Sequence, residues 1–501
     1  MRRKALITLA AACVASTALS AKAPPVQPVV VTSDGAVGGQ VLADGVEAFL
    51  GIPYAAPPIG ANRWRAPQPV ARWSGTRPAT SYGADCAQAP FPPDAAPIRT
   101  TPREDCLYLN VWRPAKASAA AKLPVMVWVH GGGFVNGGTS PATYSGHNFA
   151  RDGVVLISLN YRLGRFGFFA HPGLAAEGAG GNFGFLDQIA ALRWVKANAA
   201  AFGGDPGNVT VFGESAGGMS MHMLLQAPEA RGLFHKVIIE SGGGRDRTLP
   251  MPTIATAAKA GEAFAPGLDA AALRALPEAQ VTGDLSMMTM AKPGYSGPMI
   301  DGRTILGASI DGVEAGLYAD VPVIVGANSA DGFPMTTDKA SIFAAFKAPE
   351  ARRLYDADGR TTGLVVGTMT SADRMFIEPA RAIARGLARR GRTAYLYRFA
   401  YAHPDAAAAM GGAPHASELP YVFDTVSART MYKAVPAEQP VATITHKLWI
   451  DFARSGKPSS DWPAVSPDDT KVMLIGADGA RHQADPYQAR LDFAEGLAVQ
   501  K

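Results

Sequence analysis

The segment Gly213-Glu214-Ser215-Ala216-Gly217 sets a serine between two glycines at the spacing G-x-S-x-G. It follows the apolar run Val209–Phe212 directly and precedes a helix-compatible stretch. A serine on a sharp strand-to-helix turn is held out from the backbone for nucleophilic attack on a carbonyl carbon, and small neighbours leave that turn room. The start of the following helix offers amide hydrogens to the negative charge such an attack creates. The pattern occurs once in the chain. Short patterns of this kind also arise by chance, so the position between strand and helix carries the weight.

A second segment suits the same chemistry. The run Val125–Val129 leads straight into His130-Gly131-Gly132-Gly133-Phe134. Glycines after a strand can turn successive N–H groups toward an oxyanion, and Gly132 and Gly133, together with Ala216, are the candidate donors. The competing readings are a plain flexible turn and a phosphate-binding loop. The second lacks the Lys-Ser/Thr and G-x-G-x-x-G patterns that phosphate loops use.

The elements that must carry these segments are legible as alternating patterns. Short Val- and Ile-rich runs at Val125–Val129, Val154–Leu159, Val209–Phe212, Val237–Ile239, Val321–Val325 and Ala394–Phe399 have the length and composition of buried parallel strands. Residues 186–202 show helical spacing and stop at Gly203-Gly204, a helix-ending signal. Residues 24–115 are Pro-rich with a β-like start, which predicts an antiparallel lead-in, whereas 254–290 and 338–390 read as helical insertions. The 501 residues could hold about three average domains. The β-α alternation instead predicts one large α/β domain.

Several further motifs fall in order along this frame. Glu104-Asp-Cys-Leu-Tyr-Leu-Asn-Val111, Asn160-Tyr-Arg-Leu163, Asn182–Gly204 and Gly213–Gly218 together resemble the type-B carboxylesterases, the α/β-hydrolases that include the cholinesterases. The resemblance runs from roughly Val30 to Trp462. It implies the α/β-hydrolase fold: a central, mostly parallel sheet flanked by helices, with helical insertions. It also implies a serine esterase that works through an acyl-serine intermediate and needs no cofactor or metal. Chain order in that fold is serine, acid, histidine, so the base lies beyond Ser215. His222, His235, His403, His415, His446 and His482 all qualify, and residue type alone hardly ranks them. The loop Gly411-Gly-Ala-Pro-His-Ala-Ser-Glu-Leu-Pro420 resembles the family's catalytic-histidine loop, which implies His415 as the base.

For the acid, Gly326-Ala-Asn-Ser-Ala-Asp-Gly332 follows the strand Val321–Val325, where a loop at the strand's C-terminal end can reach the site. The family usually has Glu there; this chain has Asp331, one methylene shorter. Glu418 is the fallback, and a turn-forming Asp-Gly pair is the plain alternative reading of Asp331. Glu214 and Ser241 read as buried polar support, Arg162 and Asp187 as a structural pair. Met287, Met288 and Met290 read either as a pocket mouth or as ordinary packing.

Composition sets the outer bounds. Apolar residues make up 48% and charged residues 18%, an ordinary globular balance. The formal charge is +5, yet no basic stripe or nucleic-acid motif accompanies it. Arg2, Arg3 and Lys4 precede the apolar run 5–15 and the small-residue site Ala18-Leu19-Ser20, which predicts an export signal over residues 1–20 and a catalytic domain over 21–501. Its removal takes three of those five charges, and the mature chain is expected to be soluble and secreted or periplasmic. The remaining cysteines, Cys86 and Cys106, read as one disulfide closing a surface loop, the same pair as the family's first disulfide. That loop encloses Phe91 and no Trp. Cholinesterases hold a quaternary ammonium with a Trp there, so a choline ester is disfavoured. The expected partner is a small-molecule ester, with no nucleic acid and no membrane span. The alternatives are a non-catalytic recognition protein on the same scaffold, or an amidase or peptidase using the same triad.

Overall fold

A computed structural model describes residues 27–178, 180–245 and 251–499. The expected export signal lies outside them. Among the described residues no helix is long and apolar enough to cross a membrane.

Eleven strands form the main sheet: β1 (Gln40–Val41), β2 (Glu47–Pro53), β3 (Tyr108–Arg113), β4 (Leu123–Val129), β5 (Val155–Leu159), β6 (Gly204–Glu214), β7 (Lys236–Glu240), β8 (Val323–Asn328), β9 (Ala394–Phe399), β10 (Lys471–Gly476) and β11 (Gly479–Ala484). Across the sheet they run β11-β10-β9-β8-β7-β6-β4-β5-β3-β2-β1. Every neighbouring pair from β10 to β5 is parallel. The lead-in strands β1, β2 and β3 are antiparallel, as the Pro-rich start predicts, and β11 closes the other edge antiparallel. Three short strands at Val29–Val31, Ala36–Gly38 and Thr76–Pro78 make a separate small sheet.

Burial on both faces explains why the central strands are continuous apolar runs. In β4, Val125, Val127 and Val129 join one core, and Met126 and Trp128 join the core on the opposite face, following the two-residue period of a strand. On the first face lie α1 (Phe183–Asn198), α2 (Ala216–Gln226) and, after a later insertion, α4 (Glu378–Arg389), which follows α3 (Gly363–Ala372) in the chain. Ile189, Leu224 and Ile383 are among the residues α1, α2 and α4 bury there. On the other face α5 (Glu438–Ser455) buries Val441, Trp449 and Phe452. A final helix, α6 (Gln488–Val499), follows β11.

Helix α1 starts three residues before the expected 186 and gives way to a 3-10 turn, Ala199–Phe202, ending at Gly203 with φ 86°. Only glycine adopts that conformation without strain. Arg162 and Asp187 form a buried bidentate pair at 2.8 and 2.7 Å that ties α1 to the loop after β5. Strand boundaries depart from expectation by one or two residues at β4, β5 and β7 and by more at β6 and β8. β6 begins at Gly204, five residues early, because Gly204-Asp-Pro-Gly-Asn208 carries no apolar pattern to announce it. β8 is Val323–Asn328, two to three residues later than the run Val321–Val325. Residues 254–282 and 339–389 are largely helical, as expected of the insertions.

Candidate active site

The parallel strands end on one edge of the sheet, where ligands of open α/β folds bind. There β6 ends at Glu214, α2 begins at Ala216, and Ser215 between them has φ 56° and ψ −119°. A side chain in that region costs roughly 1–3 kcal/mol, so its surroundings must enforce it. The Ser215 amide donates to the Glu240 carbonyl at 2.9 Å, and the Ser215 carbonyl accepts from Met219 N–H at 2.8 Å. Sterics dictate the glycines. A Cβ on Gly213 would lie 2.7 Å from the Val129 carbonyl oxygen, and one on Gly217 would lie 2.0 Å from the same atom. One on Gly131 would stand 3.1 Å from Ser215 Cβ. Strand β4 passes too close to this turn for any larger residue.

Beyond β4 the glycine run curls over the serine. Gly132 and Gly133 have φ 101° and 61°, and the Gly132 carbonyl accepts from the amides of Val135 and Asn136 at 3.1 and 2.9 Å. Ala216, the first residue of α2, carries one of the helix-start amides that lack an intrahelical acceptor. Asn136 staples this loop in place: its Nδ2 donates to the Ala89 carbonyl at 2.8 Å, and its Oδ1 accepts from Met287 N–H at 2.9 Å. Asn136 thereby joins three segments distant in sequence, including the loop closed by the Cys86–Cys106 disulfide. His130 is buried, stacked on Tyr161 at 4.5 Å, and pushed down to about 4 by that burial, so its ring is neutral.

The candidate base and acid, His415 and Asp331, arrive on two other loops. His415 Nδ1 lies 2.5 Å from Asp331 Oδ1. The other oxygen, Asp331 Oδ2, accepts from Ser241 Oγ at 2.6 Å and from Asn328 N–H at 2.9 Å. The loops pair directly. Ala330 N–H donates to the Ala413 carbonyl at 2.8 Å, Ala413 N–H to Ser329 Oγ at 2.9 Å, and Asn328 Nδ2 to the Pro414 carbonyl at 2.8 Å. His415 Nε2 points the other way, 3.1 Å from Glu214 Oε1, and shares a cavity with Ser215. The remaining histidines have other duties. His222 is buried against the Tyr318 hydroxyl at 2.7 Å, His235 accepts from Val209 N–H, His403 caps a short helix, His446 bonds the Val422 carbonyl, and His482 sits in β11. Glu418 hydrogen-bonds Asn328 Nδ2 instead of reaching His415.

Three buried carboxyls surround this pair. Burial raises Glu214 and Glu418 far above the usual carboxyl range, and repulsion from neighbouring carboxylates adds to it. Glu240 is pushed up to about 8 by burial, against a hydrogen bond from Trp449 Nε1 at 2.9 Å. Burial thus favours the protonated form of all three. Glu214 and Ser241 are buried as expected, and Ser241 hydrogen-bonds Asp331 directly.

The cavity measures about 370 Å³ and reaches from Gly132 and Met287 past Ser215 and His415 to Tyr401 and Tyr432. Phe91 and Asp94, from the disulfide loop, also line it. Met287 faces this space, Met288 is exposed, and Met290 packs on Gly133, so the three methionines divide between the two readings. Among the described residues no group of His, Cys, Asp or Glu is arranged to hold a metal ion.

With this geometry in hand, the comparisons with known proteins are decisive. The sequence profile of the Carboxylesterase family matches residues 26–357 and 367–494. The chain belongs to that family. This carboxylesterase is 34% identical to the para-nitrobenzyl esterase of Bacillus subtilis (strain 168) over 90% of its own length and 95% of that protein's. It is also 34% identical to the fumonisin B1 esterase of Sphingopyxis macrogoltabida, covering 86% and 83%. Among solved structures, a PNB esterase superposes with a TM-score of 0.80 at 32% identity, over 93% of this chain and 99% of that one. The carboxylesterase is thus an α/β-hydrolase and a carboxylic ester hydrolase.

Sequence reasoning passed over Asn136, Tyr161, Asn328 and Ser329. Each is an ordinary polar residue in a loop or at a strand end, and only the tertiary fold reveals what it holds.

Proposed function

We propose that this carboxylesterase hydrolyses uncharged carboxylic esters with Ser215 as nucleophile, His415 as general base and acid, and Asp331 as the carboxylate that orients His415. The observation that carries this reading is the 2.5 Å contact between His415 Nδ1 and Asp331 beside the Ser215 turn, all opening on one cavity. Ser215 Oγ attacks the ester carbonyl as His415 Nε2 takes its proton. The amides of Gly132, Gly133 and Ala216 receive the resulting oxyanion. Collapse of this intermediate expels the alcohol, protonated by His415, and leaves an acyl ester on Ser215. Water then attacks the acyl carbon with His415 again as base, releasing the carboxylic acid and free Ser215.

Asp331 replaces the commoner glutamate without losing reach because its loop is zipped to the His415 loop through Ala330, Ser329 and Asn328. Apolar and aromatic lining suits an uncharged ester with a bulky group on either side of the carbonyl. We read residues 21–501 as a single catalytic domain behind an export signal. A Cys86–Cys106 disulfide fits an oxidising compartment.

Intact-mass analysis after treatment with a fluorophosphonate tests the chemistry. One adduct per chain, mapping to Ser215 and absent from Ser215→Ala, is expected; folded protein that stays unlabelled overturns the reading. Matched ester and anilide substrates then separate esterase from amidase, with the ester expected to turn over far faster.

A further inference from the structure

The imidazole of His415 has an aromatic ring on each of two sides. Phe376 stacks on it with centroids 5.0 Å apart and planes at 30°, and Phe333 meets it edge-on at 4.8 Å and 67°. The two phenylalanines also touch each other, at 6.2 Å. Phe333 lies two residues beyond Asp331 on the acid's own loop. Phe376 comes from farther away, on the π-helical turn Asp373–Ile377 that interrupts α3 and α4. Such turns are rare, sit preferentially at functional sites, and re-aim the side chains that follow them.

This turn is anchored from behind. Asp373 is fully buried, and Arg490 of α6 reaches it with Nε 3.1 Å from Oδ2. Arg490 in turn lies 4.0 Å over the Tyr487 ring. Phe376 and Ile377 pack with Ala327 at the end of β8 and with Leu491 of α6. The Asp331 loop presses against α3, the helix that leads into the turn, since a Cβ on Gly332 would lie 2.0 Å from the Thr368 carbonyl oxygen. The Asp331 loop, the π-turn and α6 therefore form one packed unit against the His415 ring.

We infer that Phe376 and Phe333 are positioning residues that clamp the His415 ring plane, and that the Asp373–Arg490 anchor holds the π-turn so that Phe376 is delivered to it. One hydrogen bond from Nδ1 to Asp331 fixes a point of the ring but leaves it free to rotate about that axis. Rotation swings Nε2 away from Ser215, and a misplacement near 1 Å costs about 100-fold in rate. A ring on the face and a ring at the edge remove this freedom. The stacked face also favours the imidazolium that forms in each step.

The inference rests on the serine-esterase reading, and the test separates the two. Rates are measured per fluorophosphonate-titratable site, so misfolded protein drops out of the number. Phe376→Leu keeps apolar volume without a ring; kcat per site is expected to fall about 10- to 100-fold with KM changed less than about threefold. Phe333 is 40% exposed, so substitution there spares the fold. Phe333→Leu is expected to lower kcat in the same way and Phe333→Tyr, which keeps the ring, to restore it. Arg490→Met, remote from the cavity, is expected to lower kcat several-fold through the turn. Wild-type kcat per site in Phe333→Leu and in folded Phe376→Leu overturns the clamp while leaving the esterase reading intact. Wild-type protein that takes no label sinks that reading instead. If Phe376→Leu does not fold, the Phe333 pair and Arg490→Met decide.

Discussion

The two halves of the active site are built in opposite ways. The nucleophile half is local: Gly131, Gly213, Ser215 and Gly217 come from the ends of two adjacent strands, and backbone crowding within them forces the serine into its strained turn. The base half is assembled from afar. Asn328 and Asp331 come from the end of β8 and the loop after it, Ser241 from the end of β7 and His415 from a third segment, and hydrogen bonds between side chains and backbone hold them together. A local device fails by steric collision, and a distributed one fails by losing partners one at a time. The two halves should therefore respond differently to substitution.

The largest expected effect falls where both halves meet. Asp331→Asn keeps the shape of the side chain but presents the wrong partner to His415 Nδ1–H, and the expected loss in kcat is about 10⁴-fold. The fold should survive, because Asn can still accept from Ser241 or Asn328 through its oxygen. Steady-state kinetics beside a urea melt check both halves of that statement. Loss of less than about tenfold would mean that Asp331 does not orient His415 and would move the role toward Glu418.

Gly217→Ala probes the other half and should invert the pattern. The added methyl would sit 2.0 Å from the Val129 carbonyl oxygen, which is backbone in the sheet interior and has nowhere to go. Overpacking of a core typically costs 1–3 kcal/mol, and a backbone collision belongs at or above about 3 kcal/mol. The urea midpoint should drop sharply, with activity lost in step. A variant that is fully stable yet inactive would show that the turn yields easily and that its glycines are not sterically required.

The same contrast explains what could be read before the fold was known. The strand-to-helix turn at Ser215 was legible because it is contiguous: strand, glycines and serine occupy neighbouring positions, and their spacing follows from collisions between adjacent strands. The parallel sheet was legible too, since strands buried on both faces are continuous apolar runs. The largest miss was at β6, whose polar start hides five residues. The histidine could be nominated only through the family resemblance, because nothing local distinguishes His415 from His403 or His446, whereas Asp331 also had its place after a buried strand. The supporting side chains were legible only in part: Glu214, Ser241 and the Arg162–Asp187 pair read as buried polar groups, and the rest gave no local signal. Nothing in the residues around Phe376 announces a π-turn, and Asn136 looks like any loop asparagine until its two distant partners at Ala89 and Met287 are seen.

The smallest expected effect concerns protons, and here the two halves share one environment. Glu240, on the strand beside the nucleophile, is raised by burial from an ordinary value near 4.5 to about 8. Above pH 4.5 the unfolded chain releases this proton while the folded protein keeps it, so the folded state binds more protons and stability falls as pH rises toward 8. Glu214 and Glu418 are shifted in the same direction and add to that slope. His130 and His222 act oppositely: burial lowers both to about 4, so below pH 6.5 the unfolded state binds more protons and stability falls as pH drops toward 4. Between 4.5 and 6.5 the two trends oppose each other; above 6.5 the carboxyl trend acts alone. Each fully engaged group contributes at most about 1.4 kcal/mol per pH unit. Glu240→Gln removes one proton from this ledger while keeping an oxygen for Trp449 Nε1. Urea midpoints measured from pH 6.5 to 8 should decline less steeply in that variant than in the wild type. An unchanged slope would mean that Glu240 is already ionised beside Ser215, and that the sheet side of the site carries charge rather than neutral acid.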